Sequence, residues 1–357
     1  MAFLHRVLEP PSYGWARDDG TLYVPTRGEL LRELLSRVNV FRDRRNWLAL
    51  WSWVATLGLL PFLLVFVHHA LYTWPLGTTV PLVGVGFVYG MVGMGSFGTV
   101  WYHRYGTHKA FTFSHPIWRF LTRNLFIRSV PEEIYIVSHH VHHAMVEEPG
   151  DPYNAHGGGL YCFLADTNHQ PIARDLTPED YRRAVAMVEH TGVRPHAYED
   201  YRRWGSITRP LNTVVHYALN WSFWFAAFFL LGGAPLALAI FSGAFAWAFG
   251  IRTYNYSAHG SGRDRRVEGW DFNRRDLSVN QYWAGFVAGE WHNNHHLFPS
   301  GARSGFLPIQ IDLPWYFIKL LHTLGAVDGY KDYKAQFYEK YHRPAAAGLD
   351  AAERPPG

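Results

Sequence analysis

The chain alternates between long stretches without charge and stretches in which charge is frequent. From Asn46 to Tyr102, 57 consecutive residues include no Asp, Glu, Lys or Arg, and from Pro210 to Ile251 another 42 do the same. About 20 apolar residues make a helix long enough to cross roughly 30 Å of bilayer hydrocarbon, so each stretch has room for two crossings. Turn-forming residues interrupt both, Thr73-Trp-Pro-Leu-Gly-Thr-Thr79 in the first and Gly232-Gly-Ala-Pro235 in the second. The pattern predicts two helical hairpins with spans near 47–72, 80–102, 211–231 and 234–256. A helical bundle in water would carry charges along an outward stripe, and these segments have none. The expected fold class is an all-α integral membrane protein with four transmembrane helices (two hairpins) and a cytoplasmic helical cap.

The polar remainder divides around those hairpins, which occupy 46–102 and 210–256. Segment 1–45 contains an amphipathic helix at 27–40, and 103–209 has helical patches at 116–127 and 177–190. Segment 257–342 includes 308–324, which carries Asp312, Pro314 and Lys319 and reads as interfacial rather than as a fifth span. The Ala/Pro-rich tail, 343–357, is expected to be disordered. Eight arginines (Arg6, Arg17, Arg27, Arg32, Arg37, Arg42, Arg44 and Arg45) precede the first span, whereas both hairpin turns lack Lys and Arg. The positive-inside rule therefore puts both termini and the polar segments on the cytoplasmic side. The N-terminus lacks the short apolar stretch and cleavage site of a signal peptide.

Composition narrows the chemistry. A single cysteine, Cys162, excludes an internal disulfide, a Cys-ligated iron–sulfur cluster and a structural cysteine–zinc site. A net charge of +4 is too slight to argue for nucleic acid. Histidine stands out at 21 of 357 residues, and imidazole is the commonest metal ligand.

These histidines cluster. His103-Arg-Tyr-Gly-Thr-His108 stands at the end of the second span, Ser138-His-His-Val-His-His143 within the polar segment, Asn255-Tyr-Ser-Ala-His259 at the end of the fourth, and Trp291-His-Asn-Asn-His-His296 beyond it. Two clusters share the spacing His-x-x-His-His: His139, His142, His143 and His292, His295, His296. On a helix, positions i, i+3 and i+4 share a face, so three imidazoles from each cluster converge. At this histidine density one such spacing would arise about 0.07 times by chance. His103 and His108 are five apart, about 140° round an α-helix, so they serve different ions or lie where the helix is distorted. The remaining histidines read as structural or surface residues, and His140 lies off the shared face. Nine imidazoles exceed what one ion takes and suit two ions in one pocket; zinc, copper, iron and nickel all accept such a shell. Glu290 and Asp151, and also Glu147, Glu148 and Asp264, are close enough in sequence to orient the rings. A pocket at the ends of two hairpins is open to an acyl chain entering between helices.

The order His-x4-His, His-x-x-His-His, Asn-x3-His, His-x-x-His-His resembles the membrane fatty acyl desaturase family, in its stearoyl-CoA (Δ9) branch. The likeness runs from about Trp101 to Tyr330 and is tightest at Tyr102–Phe111 and Gly289–Pro299. It implies two iron ions held by His103, His108, His139, His142, His143, His259, His292, His295 and His296, with Asn255 contributing through water. It also implies O2 as co-substrate and removal of two hydrogens from neighbouring carbons of a fatty acyl substrate. Two electrons would come from an external donor protein of ferredoxin, rubredoxin or cytochrome b5 type with its reductase, because the chain shows no flavin fingerprint, cysteine cluster or cytochrome b5-like segment. Two features depart from the family pattern. Gly289-Glu290-Trp291 is one glycine short, and a His-Val-Gly-Trp signature is missing after Gly150-Asp-Pro-Tyr153, in the region where head-group recognition and regioselectivity would sit. Acyl hydroxylases and fatty acid decarboxylases that form terminal alkenes share the scaffold and stay open as alternatives, as does a membrane metal carrier or sensor.

Three further readings concern neighbours of the clusters. The glycine-rich second span (Gly84, Gly86, Gly90, Gly93, Gly95, Gly98) suggests close helix packing, or a smooth wall for an apolar chain. Trp101, Tyr102, Trp118, Trp283 and Trp291 read as an interfacial aromatic belt. Arg104, Lys109, Arg119 and Arg123 are positioned to meet an anionic head group, although positive-inside signalling already accounts for them.

Overall fold

In the computed structural model, which describes residues 3–165, 171–259, 290–308 and 310–342, the chain is mostly helical. Helix α1 (Arg27–Val38) starts at a reciprocal cap: the Thr26 hydroxyl accepts from the Glu29 amide, and the Glu29 carboxylate accepts from the Thr26 amide at 2.8 Å. The first charge-free stretch forms α2 (Trp47–Leu57), α3 (Leu60–Tyr72) and α4 (Leu76–Val88). Beyond Val88 the helix continues but widens into π-helix, over Tyr89–Phe97 and Thr99–Thr107. The polar segment then supplies α5 (Pro116–Arg123), α6 (Glu132–Ala144), α7 (Gly159–Ala165), α8 (Pro178–Val188) and α9 (Tyr198–Trp204). Helix α10 (Pro210–Gly250) and α11 (Tyr254–Ala258) form the second apolar stretch. They are followed by α12 (His292–Leu297), α13 (Leu313–Thr323) and α14 (Lys334–Phe337). The tail at 343–357 lies outside the described residues.

Among the described residues, three helical stretches are long and apolar enough to cross a membrane: Arg44–Tyr72, Leu76–Thr107 and Pro210–Ala258, of 29, 32 and 49 residues. The third covers the residues expected to form two spans at 211–231 and 234–256. Its backbone leaves helical geometry at Gly232 (φ −154°, ψ 21°) and Gly233 (φ 69°, ψ −170°), the second being a conformation that glycine adopts at little cost. Along a straight helix Phe225 and Phe241 would stand about 24 Å apart. Their ring centroids are 5.7 Å apart, and Phe62 of α3 touches both, at 5.8 and 4.6 Å. The chain thus doubles back at the glycine pair, and the expected four-residue break is a two-residue reversal.

Helix α4 packs backbone to backbone on the returning half of α10. A Cβ built on Gly86 would lie 2.5 Å from the Ala239 carbonyl oxygen, one on Gly90 2.7 Å from that of Gly243, and one on Gly243 1.9 Å from that of Gly86. Gly98, further along, lies beside Trp247, 3.5 Å from where a Cβ would stand, and both line an internal cavity. The glycines therefore divide between packing and cavity wall. The main apolar core joins the π-helical stretch (Val100, Trp101, Tyr102) to Phe126, to Phe241 and Trp247 of α10, and to Trp315 and Ile318 of α13. Helix α13 turns Tyr316, Leu320 and Leu324 outward and, at 11 residues, is about 16 Å long, too short to span a bilayer.

One element has no counterpart in the helical expectation. Strands β1 (Phe111–Phe113) and β2 (Val327–Tyr330) pair antiparallel, with Phe111 opposite Tyr330, Thr112 opposite Gly329 and a bulge before Phe113 meets Val327. The ribbon ties the end of the π-helix to the chain leaving α13. Trp101, Tyr102 and Trp291 are also buried (0%, 3% and 2% exposed) rather than lying in an interfacial belt. Each has a polar partner inside: Trp101 Nε1 donates to Glu132 at 2.9 Å, the Tyr102 hydroxyl to the Val130 carbonyl at 2.7 Å, and Trp291 Nε1 to the Ile311 carbonyl at 2.9 Å. Trp283 lies outside the described residues.

Alanine substitution separates the two kinds of glycine. Gly243→Ala, whose methyl group would overlap the Gly86 carbonyl, is expected to destabilise the folded protein by about 1–3 kcal/mol. Gly84→Ala, with nothing within 4 Å, is expected to be neutral or stabilising. Thermal unfolding of both variants in detergent checks the difference in sign.

Candidate metal centre

The histidines from all four clusters meet. His103, His108, His139, His143 and His295 form one group and His142, His259, His292 and His296 a second; within each, the candidate ligand nitrogens lie within 4.8 Å of one another. These are the nine residues singled out by spacing, and none falls elsewhere. Helix α6 sends His139 and His143, one turn apart, to the first group and His142 to the second. Helix α12 does the converse, sending His292 and His296 to the second group and His295 to the first. His143 and His296 connect the groups, with ring centroids 4.6 Å apart.

The π-helix explains the five-residue spacing of His103 and His108. In a π-helix the amide bonds five residues back, and the His108 amide donates to the His103 carbonyl at 3.1 Å. One wide turn replaces the 140° offset of an α-helix, so both rings join the first group, with centroids 4.8 Å apart. Of the two alternatives posed by the sequence, the helix distortion is the one observed.

Ring orientation is set from outside. The outer nitrogen, Nδ1, of His103 lies 2.8 Å from Glu290 Oε2, that of His142 3.0 Å from both Asp151 oxygens, and that of His259 2.8 Å from Glu147 Oε1. His139 Nδ1 lies 2.7 Å from the Tyr153 hydroxyl. A carboxylate accepts only, so it selects the Nδ1–H tautomer and leaves the Nε2 lone pair pointing inward. The inward nitrogens crowd one another. Nε2 of His295 is 2.8 Å from that of His143 and 3.1 Å from that of His103, and Nε2 of His292 is 2.7 Å from that of His259. Nε2 of His108 and of His142 is buried with no hydrogen-bond partner. Converging lone pairs and orphaned buried nitrogens fit bound cations, and imidazoles without thiolates suit zinc, copper, iron or nickel. Burial, reinforced by neighbouring imidazoles, holds His108, His139, His143, His292, His295 and His296 well below the usual imidazole pKa, which keeps them neutral and able to bind metal.

Asp151 is fully buried and organises the loop after α6. Besides His142 it accepts from the amides of Glu147 (3.1 Å) and Tyr153 (3.2 Å). Glu147 has φ +61°, a strained conformation for a non-glycine residue, and from it reaches both His259 and, at 3.3 Å, His156. Glu148 is exposed, and its backbone carbonyl accepts from the Asp151 amide. Asp264 lies outside the described residues. Two contributions were not read from the sequence. Tyr153 carries no metal-site spacing signal. Arg104, read as a head-group contact or a positive-inside charge, is 1% exposed and donates to Asp312 at 2.7 Å and Ser304 at 3.0 Å. Asp312 also accepts from the Ser304, Gly305 and Trp315 amides, so the pair fastens the end of the π-helix to the chain beyond α12. Arg123 is likewise engaged, bidentate on Glu132 at 2.7 and 2.6 Å.

A cavity of about 70 Å3 leads from these rings toward the apolar helices. His103, His139, His292 and Glu290 line its polar end, and Gly98, Thr99, Tyr102, Val130, Trp247 and Ile251 its apolar end. Asn255 lines the same cavity, and its backbone carbonyl accepts from the His259 amide at 3.0 Å. His140 stays outside both groups, its ring 6.4 Å from that of His108.

Removing an outer partner should loosen metal more than fold. Asp151→Asn is expected to weaken metal retention about 10–100-fold in chelator competition. Glu148→Gln, at the exposed neighbouring acid, is expected to leave retention unchanged.

Comparison with known proteins agrees with this geometry. The fatty acid desaturase family model matches residues 77–340, which include all nine histidines. The palmitoyl-monogalactosyldiacylglycerol delta-7 desaturase of Arabidopsis thaliana is 26% identical over 330 residues, covering 87% of this chain and 79% of that protein. Delta-9 acyl-lipid desaturase 1 of the same plant is 28% identical over 282 residues (74% and 80%), and the icosanoyl-CoA 5-desaturase of Limnanthes douglasii is 26% identical over 255 (69% and 63%). With the family pattern covering most of its length, the chain belongs to the fatty acid desaturase family of oxidoreductases.

Proposed function

We propose that this protein is an O2-dependent di-iron desaturase that introduces a double bond into a fatty acyl chain. The observation that carries this reading is the cavity that joins two adjoining imidazole groups to the apolar interior of the helices. The relatives are named as desaturases acting at different positions and on different carriers, which supports the reaction type and leaves the position open.

The nine histidines would hold two irons, and Asn255, which lines the same cavity, would contribute through water. When bound, the metal pair supplies the oxidising chemistry: O2 and two external electrons, with two protons, take two hydrogens from adjacent carbons and leave two waters. The protein's own residues do the rest. Glu290, Asp151, Glu147 and Tyr153 keep the Nδ1 side of the rings occupied so that Nε2 faces the metals. Tyr102, Val130, Trp247 and Ile251 exclude water from the chain's path and hold saturated carbons beside His103 and His292. With one cysteine in the chain, electrons would arrive from a separate ferredoxin, rubredoxin or cytochrome b5-type protein and its reductase.

Four bilayer crossings follow from the same reading. The halves of the third stretch, 210–231 and 234–258, contain 22 and 25 residues, each enough for about 30 Å of hydrocarbon. The turns at 73–75 and 232–233 are uncharged, whereas Arg42, Arg44, Arg45, Arg104, Lys109 and Arg209 sit at the opposite helix ends. Termini and metal centre would then be cytoplasmic. A metal carrier would space its ligands along the spans, whereas these gather in two adjoining groups.

Purified protein should contain about two irons per chain. It should also consume O2 and reductant only with a fatty acyl substrate, yielding an internal double bond by mass spectrometry. His139→Ala or His295→Ala should abolish product while the protein still assembles in membranes. An added oxygen would make it a hydroxylase, and an alkene one carbon shorter with CO2 a decarboxylase.

A further inference from the structure

A second cavity, of about 510 Å3, lies where α5, α6, the 192–194 loop and the first turns of α10 meet. The segment between α5 and α6 contributes Val130 to the acyl cavity and Arg128 and Pro131 to this one, so the two are neighbours with different linings. Three guanidinium groups, of Arg123, Arg128 and Arg194, line it. Glu132 is shared between Arg123 (2.6 Å) and Arg128 (2.9 Å) and is further occupied by Trp101. Glu133 accepts from the Thr208 hydroxyl at 2.7 Å and amide at 3.1 Å, and burial pushes its carboxyl up to about 7. Cationic charge is therefore in excess. Two polar atoms on the lining residues lack hydrogen-bond partners, Arg128 Nε and the Tyr217 hydroxyl, on side chains only 1% and 3% exposed. The Arg128 guanidinium is sandwiched between the rings of Tyr102 and Tyr217, each 5.7 Å away, which fixes it in place.

The mouth has the opposite character. Val215 and Leu219 of α10 line the cavity yet are 46% and 66% exposed, next to Leu211 at 71%, and Phe120 and Leu121 of α5 are exposed on the facing side. These side chains belong to, or adjoin, the third membrane-length helical stretch. A cationic chamber that opens onto hydrocarbon-facing side chains fits an amphiphile whose polar end is anionic. Volumes of about 300–1,000 Å3 suit such ligands, and basic pockets beside membrane helices are a recurrent form of lipid recognition.

We infer that this cavity binds the phosphate-bearing head group of an anionic membrane phospholipid, with its tails along Leu211, Val215 and Leu219. The phosphate oxygens would accept from Arg194 and, once neighbouring side chains shift, from Arg128 and the Tyr217 hydroxyl, whose unpartnered donors are covered by those side chains. The inference uses the membrane placement of α10 and is independent of the metal centre. Lipid retention and product formation can therefore fail separately.

The test uses the full chain, purified in detergent and exposed to mixed micelles of phosphatidylglycerol or of monogalactosyl diacylglycerol with the same acyl chains, read by native mass spectrometry. One phosphatidylglycerol should be retained per chain and the phosphate-free galactolipid should not. Arg194→Ala and Arg128→Gln should each weaken retention about tenfold, as loss of a charge-assisted hydrogen bond implies, with a smaller loss for Tyr217→Phe. Arg182→Ala, on exposed α8, should change nothing. If Arg128→Gln does not fold, Arg194→Ala and Tyr217→Phe decide. Equal retention of the galactolipid, or retention by Arg194→Ala and Tyr217→Phe equal to the parent, overturns the inference. Displacement by inorganic phosphate at comparable concentration would assign the cavity to a free anion, and displacement by coenzyme A to an acyl carrier; either result also overturns it.

Discussion

A neutral imidazole has one lone pair and one N–H, and directing the lone pair inward requires an acceptor for the proton outside. This requirement organises the polar half of the molecule. Glu290, Asp151 and Glu147 sit on the outer nitrogens of His103, His142 and His259, and two of these carboxylates have further partners. Asp151 takes two backbone amides, and Glu290 lies beside the buried Arg104, 3.9 Å from its Nε. The loop strain at Glu147 and the Arg104–Asp312 pair are understandable as means of bringing acceptors to rings on other elements. With these in place, burial keeps the rings neutral. Without them, the close Nε2 pairs would turn away from one another.

The apolar half serves the same end through packing. Glycines at 86, 90 and 243 let α4 and α10 approach until backbone touches backbone, which fixes the ends of both helices relative to each other. The first histidine pair lies at the end of the π-helical stretch that continues α4, and Asn255 and His259 follow α10. Precision at the centre is thus inherited from contacts among residues that bear no chemistry at all.

Much of this was legible in the sequence because the relevant signals are periodic or absolute. A run without charge marks a membrane-length helix whatever its packing, and His-x-x-His-His fixes three rings on one helical face. What the sequence withheld was set by tertiary context. The π-helical turn that unites His103 and His108 has no spacing rule of its own. Trp101, Trp291 and Arg104 have the composition of an interface but are buried, because each finds a polar partner inside the protein. Among neighbouring acids, proximity in sequence could not tell Glu147, which turns inward through an unusual backbone conformation, from Glu148, which faces solvent. The β1–β2 ribbon pairs segments more than two hundred residues apart, beyond the reach of any local pattern.

That the ring of His103 rests against that of His295, 192 positions later, ties assembly of the centre to biosynthesis. A ribosome finishes the donors of the π-helical stretch and of α6 well before those of α12 exist, and α10 and α11 are made in between. Until then the early donors form half a cage, open on the side that α12 later closes. The two groups of rings are therefore completed last, by α12, and a polypeptide ending before residue 292 lacks the three rings that close them.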